Sequence, residues 1–323
     1  MKVSICVPVY GVEKHIERCA KSLFEQTMKD GIEFIFVNDC TPDKSIEILE
    51  KVLAEYPSRK NQVKIIHHEQ NKGLTGARNT ALLHATGDYI IHCDSDDWID
   101  ADFCRRLYEV AVENQADVAV CPLSLELADD SVFKRLQLPD GGIESWFAES
   151  FHSAEFNSLC NKLFARDIAL DPAIRVPDNI TMAEDLLRTT QMLLKCSKGV
   201  TTDLVCYHYF YGNSGSSTMN YSLKTFTSET AAVEILTSVL PEKYALQRNA
   251  SLGLLLLSGL CSEGVSLKQL RRSVGRQEHR KALKNPRIAL LKRLILLMAY
   301  ISLAMAKLCC RILLKIKQKT RMA

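Results

Sequence analysis

Three carboxylates leave one short apolar run, since Asp94-Ser95-Asp96-Asp97 follows directly on Tyr89-Ile90-Ile91-His92-Cys93. Carboxylates packed this closely repel one another unless something positive sits between them. Mg2+ or Mn2+ meets that need: hard cations take oxygen ligands, few of them from the protein, and fill the rest with phosphate and water. Such an ion would bridge the two phosphates of a nucleoside diphosphate and neutralise its charge as it leaves. The same acids also have an architectural reading, as a cap for the helix expected after Asp100. A second acidic pair, Glu184-Asp185, precedes Leu186-Leu187. Acids at a helix start are favoured by its dipole, so this pair too has a purely structural reading.

These residues need a frame to hold them. Residues 3–9 form an apolar run closed by Pro8-Val9-Tyr10-Gly11, and Ile16, Cys19, Leu23 and Phe24 recur after it at helical spacing. Residues 32–37 and 63–67 read as further strands, with Ile46, Leu49, Val52 and Leu53 marking a helix between them. A helix is predicted from near Gly76 to Gly87, then strands over 89–93 and 117–121, with Asp100 capping the helix between these two. Helices of this length between strands imply right-handed crossovers and a mostly parallel sheet flanked by helices, an α/β fold. Ligands of such sheets bind beyond the carboxyl ends of the strands. Those ends carry Pro8-Val9-Tyr10, Asn38-Asp39 and the acidic quartet. Residues 123–220 are less regular and read as loops, short helices and a strand or two over the active edge, followed by helices over 223–280.

Four ordered motifs now coincide: Val7-Pro8-Val9-Tyr10; Val37-Asn38-Asp39; Asn71-Lys72-Gly73-Leu74 with Ala77-Arg78-Asn79; and Asp94-Ser95-Asp96-Asp97-Trp98. In order and spacing the chain resembles the family 2 glycosyltransferases, closely over about its first 120 residues. The likeness continues more weakly through Asn161-Lys162-Leu163, Glu184-Asp185 and the segment 207–218. The resemblance implies a GT-A-type nucleotide-sugar-binding domain and inverting transfer from a nucleoside diphosphate sugar, typically UDP-linked, to a hydroxyl of a lipid-linked or polysaccharide acceptor. It implies that Pro8, Val9 and Tyr10 lie along the base and that Asp39 accepts the imide N–H. Arg78 would stand near the base and its acidic partners, Asp94 and Ser95 at the donor, with Asp94 on the ribose and Asp96 as main metal ligand beside it. Asp185 matches the general base, which inverting transfer requires on the face opposite the leaving group. The family's late Arg is Phe210 here, which leaves Lys162, Ser216 and Ser217 as candidates for the phosphates and Glu184 as a rival to Asp185. His208 has a packing reading as well as a chemical one. Gly11 stands where the family often has Asn. A non-catalytic nucleotide-sugar-binding or scaffold protein is the alternative reading.

Charge is unevenly placed. Of 41 Lys and Arg, 12 lie between His279 and Ala323, where there is no acid; the remaining 29 face all 38 Asp and Glu. An acidic body with a basic tail suggests a separate task for the tail. Residues 294–310 are apolar between basic flanks but short for a span, and Lys307, Arg311, Lys315 and Lys319 recur every four residues. The tail thus reads as a helix lying in an anionic membrane interface, ahead of a short transmembrane anchor or a core helix. The expected organisation is a catalytic domain over 1–220, divided at 122, a helical extension over 221–280 and a membrane-associating tail over 281–323. Met1-Lys2 runs straight into a strand, so no signal peptide is expected and the location reads as cytoplasmic, on the inner face of the cell membrane. The 12 Cys lack zinc spacing and read as small buried hydrophobes. No Gly-x-Gly-x-x-Gly or Walker A motif is present, and the basic tail lacks the interleaved aromatics of a nucleic-acid partner.

Overall fold

The computed structural model describes residues 1–127, 129, 131–136, 141–151, 156–211, 221–262 and 264–322, the last nine by backbone alone. The chain forms two compact units, Met1–Thr181 with Arg188–Ser214, and Met182–Leu187 with Gly215–Ala323.

In the first unit β1 (Val3–Val9), α1 (Ile16–Phe24), β2 (Ile32–Asn38), α2 (Ser45–Glu55), β3 (Val63–His67), α3 (Gly73–His84) and β4 (Tyr89–His92) alternate as expected. Every residue of β1 is buried, as befits a parallel strand covered on both faces. After β5 (Trp98–Ile99), α4 (Phe103–Glu113) and β6 (Val118–Val120) the chain is richer in strands than its sequence suggests. It adds β7 (Leu123–Glu126), β8 (Val132–Leu136), α5 (Gly142–Ser150), β9 (Lys162–Ala165), α6 (Arg166–Ala169), α7 (Glu184–Lys195), β10 (Gly199–Thr201) and β11 (Tyr207–Phe210). The main sheet runs β10-β6-β9-β4-β1-β2-β3, and a smaller one β5-β11-β7-β8. Antiparallel β9 is inserted between β4 and β6, so the fifth predicted strand does not pair with the fourth.

Two local expectations change. The third helix starts at Gly73 and ends at His84. Gly87 lies beyond it, where a Cβ would stand 2.6 Å from the Ser4 backbone nitrogen. Asp100 does not cap α4 with its side chain; its carboxylate instead accepts the Cys206 N–H at 2.7 Å and faces His208 Nε2 at 3.0 Å.

The second unit is helical: α8 (Leu223–Val239), α9 (Ala245–Cys261), α10 (Leu267–Ser273), α11 (Arg276–Leu283), α12 (Leu290–Ile301) and α13 (Leu303–Met322). These helices share one core, in which Leu255, Leu256 and Leu260 of α9 join Leu270, Ala282, Leu296 and Ala306. The apolar run over 294–310 is therefore not one helix but two that meet at Ser302, each with one face in that core. Lys307 departs from the headgroup role its spacing suggests: it is buried, and its Nζ donates to the Ser262 carbonyl at 2.7 Å and to that of Val265. No helix among the described residues is long and apolar enough to cross a membrane.

Buried Glu33 ties β2 to its neighbours, accepting from Ser4 Oγ at 2.6 Å, Lys64 Nζ at 2.8 Å and the Thr86 N–H at 2.7 Å. Burial alone would raise its pKa, but these donors pull it down to about 2 from 4.5. A depressed carboxyl stabilises the fold above its unfolded pKa and loses that contribution as the pH falls through the folded one. Glu33→Gln should therefore destabilise the protein near neutrality by about 2–3 kcal/mol. In urea unfolding across pH, the gap to wild type should close between 4.5 and about 2; a gap independent of pH contradicts this.

Candidate active site at the carboxyl edge of the sheet

β1 has β2 on one side and β4 on the other, so the strand order reverses beside it, which is where sheets of this kind bind ligands at their carboxyl ends. Three of the predicted strand exits, of β2, β1 and β4, are therefore adjacent. At the β1 exit Pro8 and Val9 are buried and Tyr10 is exposed. Gly11 has φ +68°, with nothing within 4 Å of a built Cβ. Asn is among the few other residues that tolerate this conformation, so Gly in its place preserves the turn. The turn is fixed by Thr41 Oγ1, which accepts the Gly11 N–H at 2.8 Å, and Asp43, which accepts that of Glu13 at 2.9 Å. Burial opposes ionisation of Asp43, but donors from Ser45, Thr41 and the backbone hold it at about 2.

At the β2 exit Asp39 is buried and heavily engaged. Its Oδ1 meets His68 Nδ1 and the Lys72 N–H, both at 2.7 Å, and Oδ2 accepts the Gly73 N–H at 2.8 Å. A carboxylate offers about four lone-pair positions, so one on Oδ2 remains for a ligand. Asp39 thus shapes the Asn71–Gly73 turn that launches α3. That helix is the hub of the site. Arg78, fully buried, donates to Asp94 Oδ1 at 2.8 Å. Asn79 donates to the Val176 carbonyl at 3.0 Å and to Asp178 at 2.7 Å, and accepts from Arg188.

The acids at the β4 exit cap no helix; they sit where the chain passes from the large sheet to the small one. Asp97 is buried, accepting Tyr207 Oη–H at 2.6 Å on Oδ2 and the Phe210 N–H at 2.8 Å on Oδ1. Burial pushes its pKa well up, and the charges of Asp96 and Asp94 push the same way. Tyr207 Oη also accepts the Asp94 N–H at 3.0 Å. Ser95 is buried and Asp96 half-buried. Among the described residues no group of three or more His, Cys, Asp or Glu is gathered to hold a metal. Asp94 and Asp96 supply oxygen donors of the kind a divalent ion takes, but too few to hold one without phosphate and water.

Lys162 is buried, its ammonium donating to the Ser158 carbonyl at 2.6 Å and Asn161 Oδ1 at 2.8 Å. Ser216 and Ser217 lie outside the described residues. Glu184 and Asp185 open α7 directly after Ala183, whose φ of +61° is unusual for a residue with a Cβ. His208 is structural: it lies between Asp100 and Glu126 and stacks on Trp98 with centroids 5.3 Å apart. Sequence reasoning missed Tyr207, which periodicity could not single out. It also missed the surroundings of Phe210: His15 lies 4.9 Å from its ring, and Arg18 5.4 Å from it and 3.5 Å over Trp98. His15 is buried enough to lower its pKa, while Asp96 acts to raise it and Arg18 and Lys14 to lower it. Arg18 of α1 thus places a cation beside Phe210, where position 210 itself carries none.

Residues 4–170 match the family described as Glycosyl transferase family 2, about half of the chain. The chain belongs to glycosyl transferase family 2. Relatives with this family's chemistry in their names include the poly(ribitol-phosphate) beta-glucosyltransferase of Bacillus spizizenii, 34% identical over 217 residues, covering 65% of this chain and 32% of that protein. The chain thus spans about a third of that relative's length. Among solved structures, Staphylococcus aureus TarS 1-349 superposes with a TM-score of 0.67 at 19% identity, covering 93% of this chain and 89% of that one. The mannosyltransferase PcManGT of Pyrobaculum calidifontis, in complex with GDP-Man and Mn2+, gives 0.55 at 16% identity, covering 95% and 87%. At these identities the likeness establishes the fold, the GT-A-type α/β arrangement expected for this family 2 member.

The geometry separates residues that hold the family 2 site from residues that face solvent. Tyr207→Phe keeps the ring but leaves buried Asp97 short of a donor, which costs about 1–3 kcal/mol. Thermal unfolding should register a fall of several degrees, whereas Tyr10→Ala at the exposed β1 exit should leave the midpoint nearly unchanged. Equal effects of the two variants would contradict this division.

Proposed function

We propose that this chain transfers a sugar from a UDP-sugar to a hydroxyl of a glycan or lipid-linked acceptor, with inversion, aided by Mn2+ or Mg2+, at the cytoplasmic face of a membrane. The observation that carries this reading is the built acidic corner. Buried Arg78 fixes Asp94, Tyr207 and the Phe210 N–H fix Asp97, and Asp96 lies between them in sequence at the exit of β4, the neighbour of β1. Folding alone gives no reason to crowd three carboxylates at one strand exit.

In this reading Tyr10 lies along the base, and the open lone pair of Asp39 takes the uracil imide N–H. Asp94, held by Arg78, receives the ribose, and Asp96 holds the metal. A divalent ion on Asp96, with Asp94 beside it, would supply the positive charge that the departing diphosphate needs, so no second acid would be required. Positive charge at the phosphates comes from Arg18 of α1 in place of an arginine at 210. Asp185 takes the proton of the acceptor hydroxyl, with Glu184 its nearest rival. Support comes from the names of relatives and neighbours: TarS 1-349 has been solved with UDP-GlcNAc, PcManGT with GDP-Man and Mn2+, and the Bacillus spizizenii relative is named for transfer to poly(ribitol-phosphate).

A panel of UDP- and GDP-sugars offered with polyol-phosphate and glycan acceptors tests the reading. Transfer from a UDP-sugar is expected; exclusive use of a GDP-sugar would overturn the uracil assignment, and no transfer with any donor would overturn the enzyme. In the productive pair Asp185→Asn should cut turnover by roughly 10²–10⁴ with donor affinity nearly unchanged. Full activity in Asp185→Asn but not in Glu184→Gln would move the base to Glu184.

A further inference from the structure

The second unit carries a face that its own core does not use. Leu290, Leu294, Leu297 and Ile301 of α12 are between 47% and 78% exposed, while Leu296 and Ala299 are buried. At about 100° per residue the four exposed side chains fall within about 60° of arc, opposite the buried pair. Ile301 also begins a second row at the same spacing, with Met305, Leu308 and Ile312 of α13, again between 51% and 78% exposed and opposite buried Ala306 and Cys310. Each of two consecutive helices thus carries an exposed apolar row opposite its buried face.

Charge selects their partner. Arg280, Lys284, Arg287 and Arg311 are exposed on α11, on α13 and in the segment between α11 and α12, and no Asp or Glu occurs from His279 to Ala323. A second copy meeting this face would bring two acid-free cationic surfaces together, which like-charge repulsion disfavours. The rows also have none of the aromatic residues that anchor protein interfaces. Neither row can cross a bilayer, since α12 has only 12 residues and no described helix is long and apolar enough to span. We propose that α12 and the first turns of α13 form a docking face for an anionic phospholipid bilayer, the aliphatic rows entering the acyl boundary and the cations meeting lipid phosphate. Lys307 takes no part, being held inside the unit. This deepens the membrane portion of the proposed function, and its test uses no sugar transfer, so the two can fail separately.

The test is flotation of the full-length chain with vesicles of phosphatidylcholine alone or in equal mixture with phosphatidylglycerol. Binding to the mixed vesicles that weakens with salt is expected, with little binding to phosphatidylcholine. Leu294→Glu/Ile301→Glu/Leu308→Glu should keep the helical circular dichroism and lower the partition by about a hundredfold or more. Ile301→Glu alone, at the most exposed position, serves if the triple variant does not fold, with about a tenfold loss. Arg287→Gln/Arg311→Gln should weaken binding and flatten its salt dependence. Three results would each overturn the proposal: no flotation of wild type on either vesicle, undiminished binding of the folded glutamate variants, or a wild-type dimer by sedimentation that those variants dissociate.

Discussion

Crowded negative charge at one strand exit is the constraint around which the first unit is arranged. Asp94, Asp96 and Asp97 follow β4 within five residues, and Asp97 is wholly inside the protein. A buried carboxylate beside two others is costly unless donors are placed on it. The fold brings donors from distant segments: Arg78 of α3 to Asp94, and the hydroxyl of Tyr207 and the Phe210 N–H of β11 to Asp97. The position of α3 is in turn set by Asp39, whose carboxylate gathers the turn before it. Each motif therefore positions another, and the small sheet exists where it does partly because β11 must reach Asp97.

How much of this was legible depended on how local each signal is. β1 to β4 were readable because each is an apolar run of four to seven residues followed by a helix-length segment. β9 was not, because Lys162-Leu163-Phe164-Ala165 is four residues long and begins with a charge, and its partners β4 and β6 come far earlier in the chain. Tyr207 was invisible for the same reason, since its bond to Asp97 spans 110 residues. The acids themselves could be found by type and position. That Asp100 binds β11 instead of capping α4 could not, because a capping pattern says nothing about a competing partner.

Lys307 shows the opposite error, a charge placed at the surface by its type. In the structure its ammonium lies at the end of α9, satisfied by the Ser262 and Val265 carbonyls, where the negative end of the helix dipole also favours a cation. Gly11 and Phe210 depart from the family pattern in different ways. Gly11 keeps the left-handed turn that Asn can also adopt, so that departure is neutral in backbone terms. Phe210 removes a cation, and the space around its ring is shared by His15 and Arg18 of α1. A family 2 chain can thus keep a positive charge near the acidic corner while changing the element that supplies it.

The central claim is that the acidic corner holds a nucleoside diphosphate through a divalent ion. Calorimetric titration of UDP into the protein with Mn2+ and again in EDTA tests it most directly. Tight binding with Mn2+, a loss of at least tenfold in EDTA, and the same loss in Asp96→Asn with the metal present are the expected results. Equal affinity for UDP with Mn2+ and in EDTA, or an Asp96→Asn variant that binds as wild type does, would contradict the account.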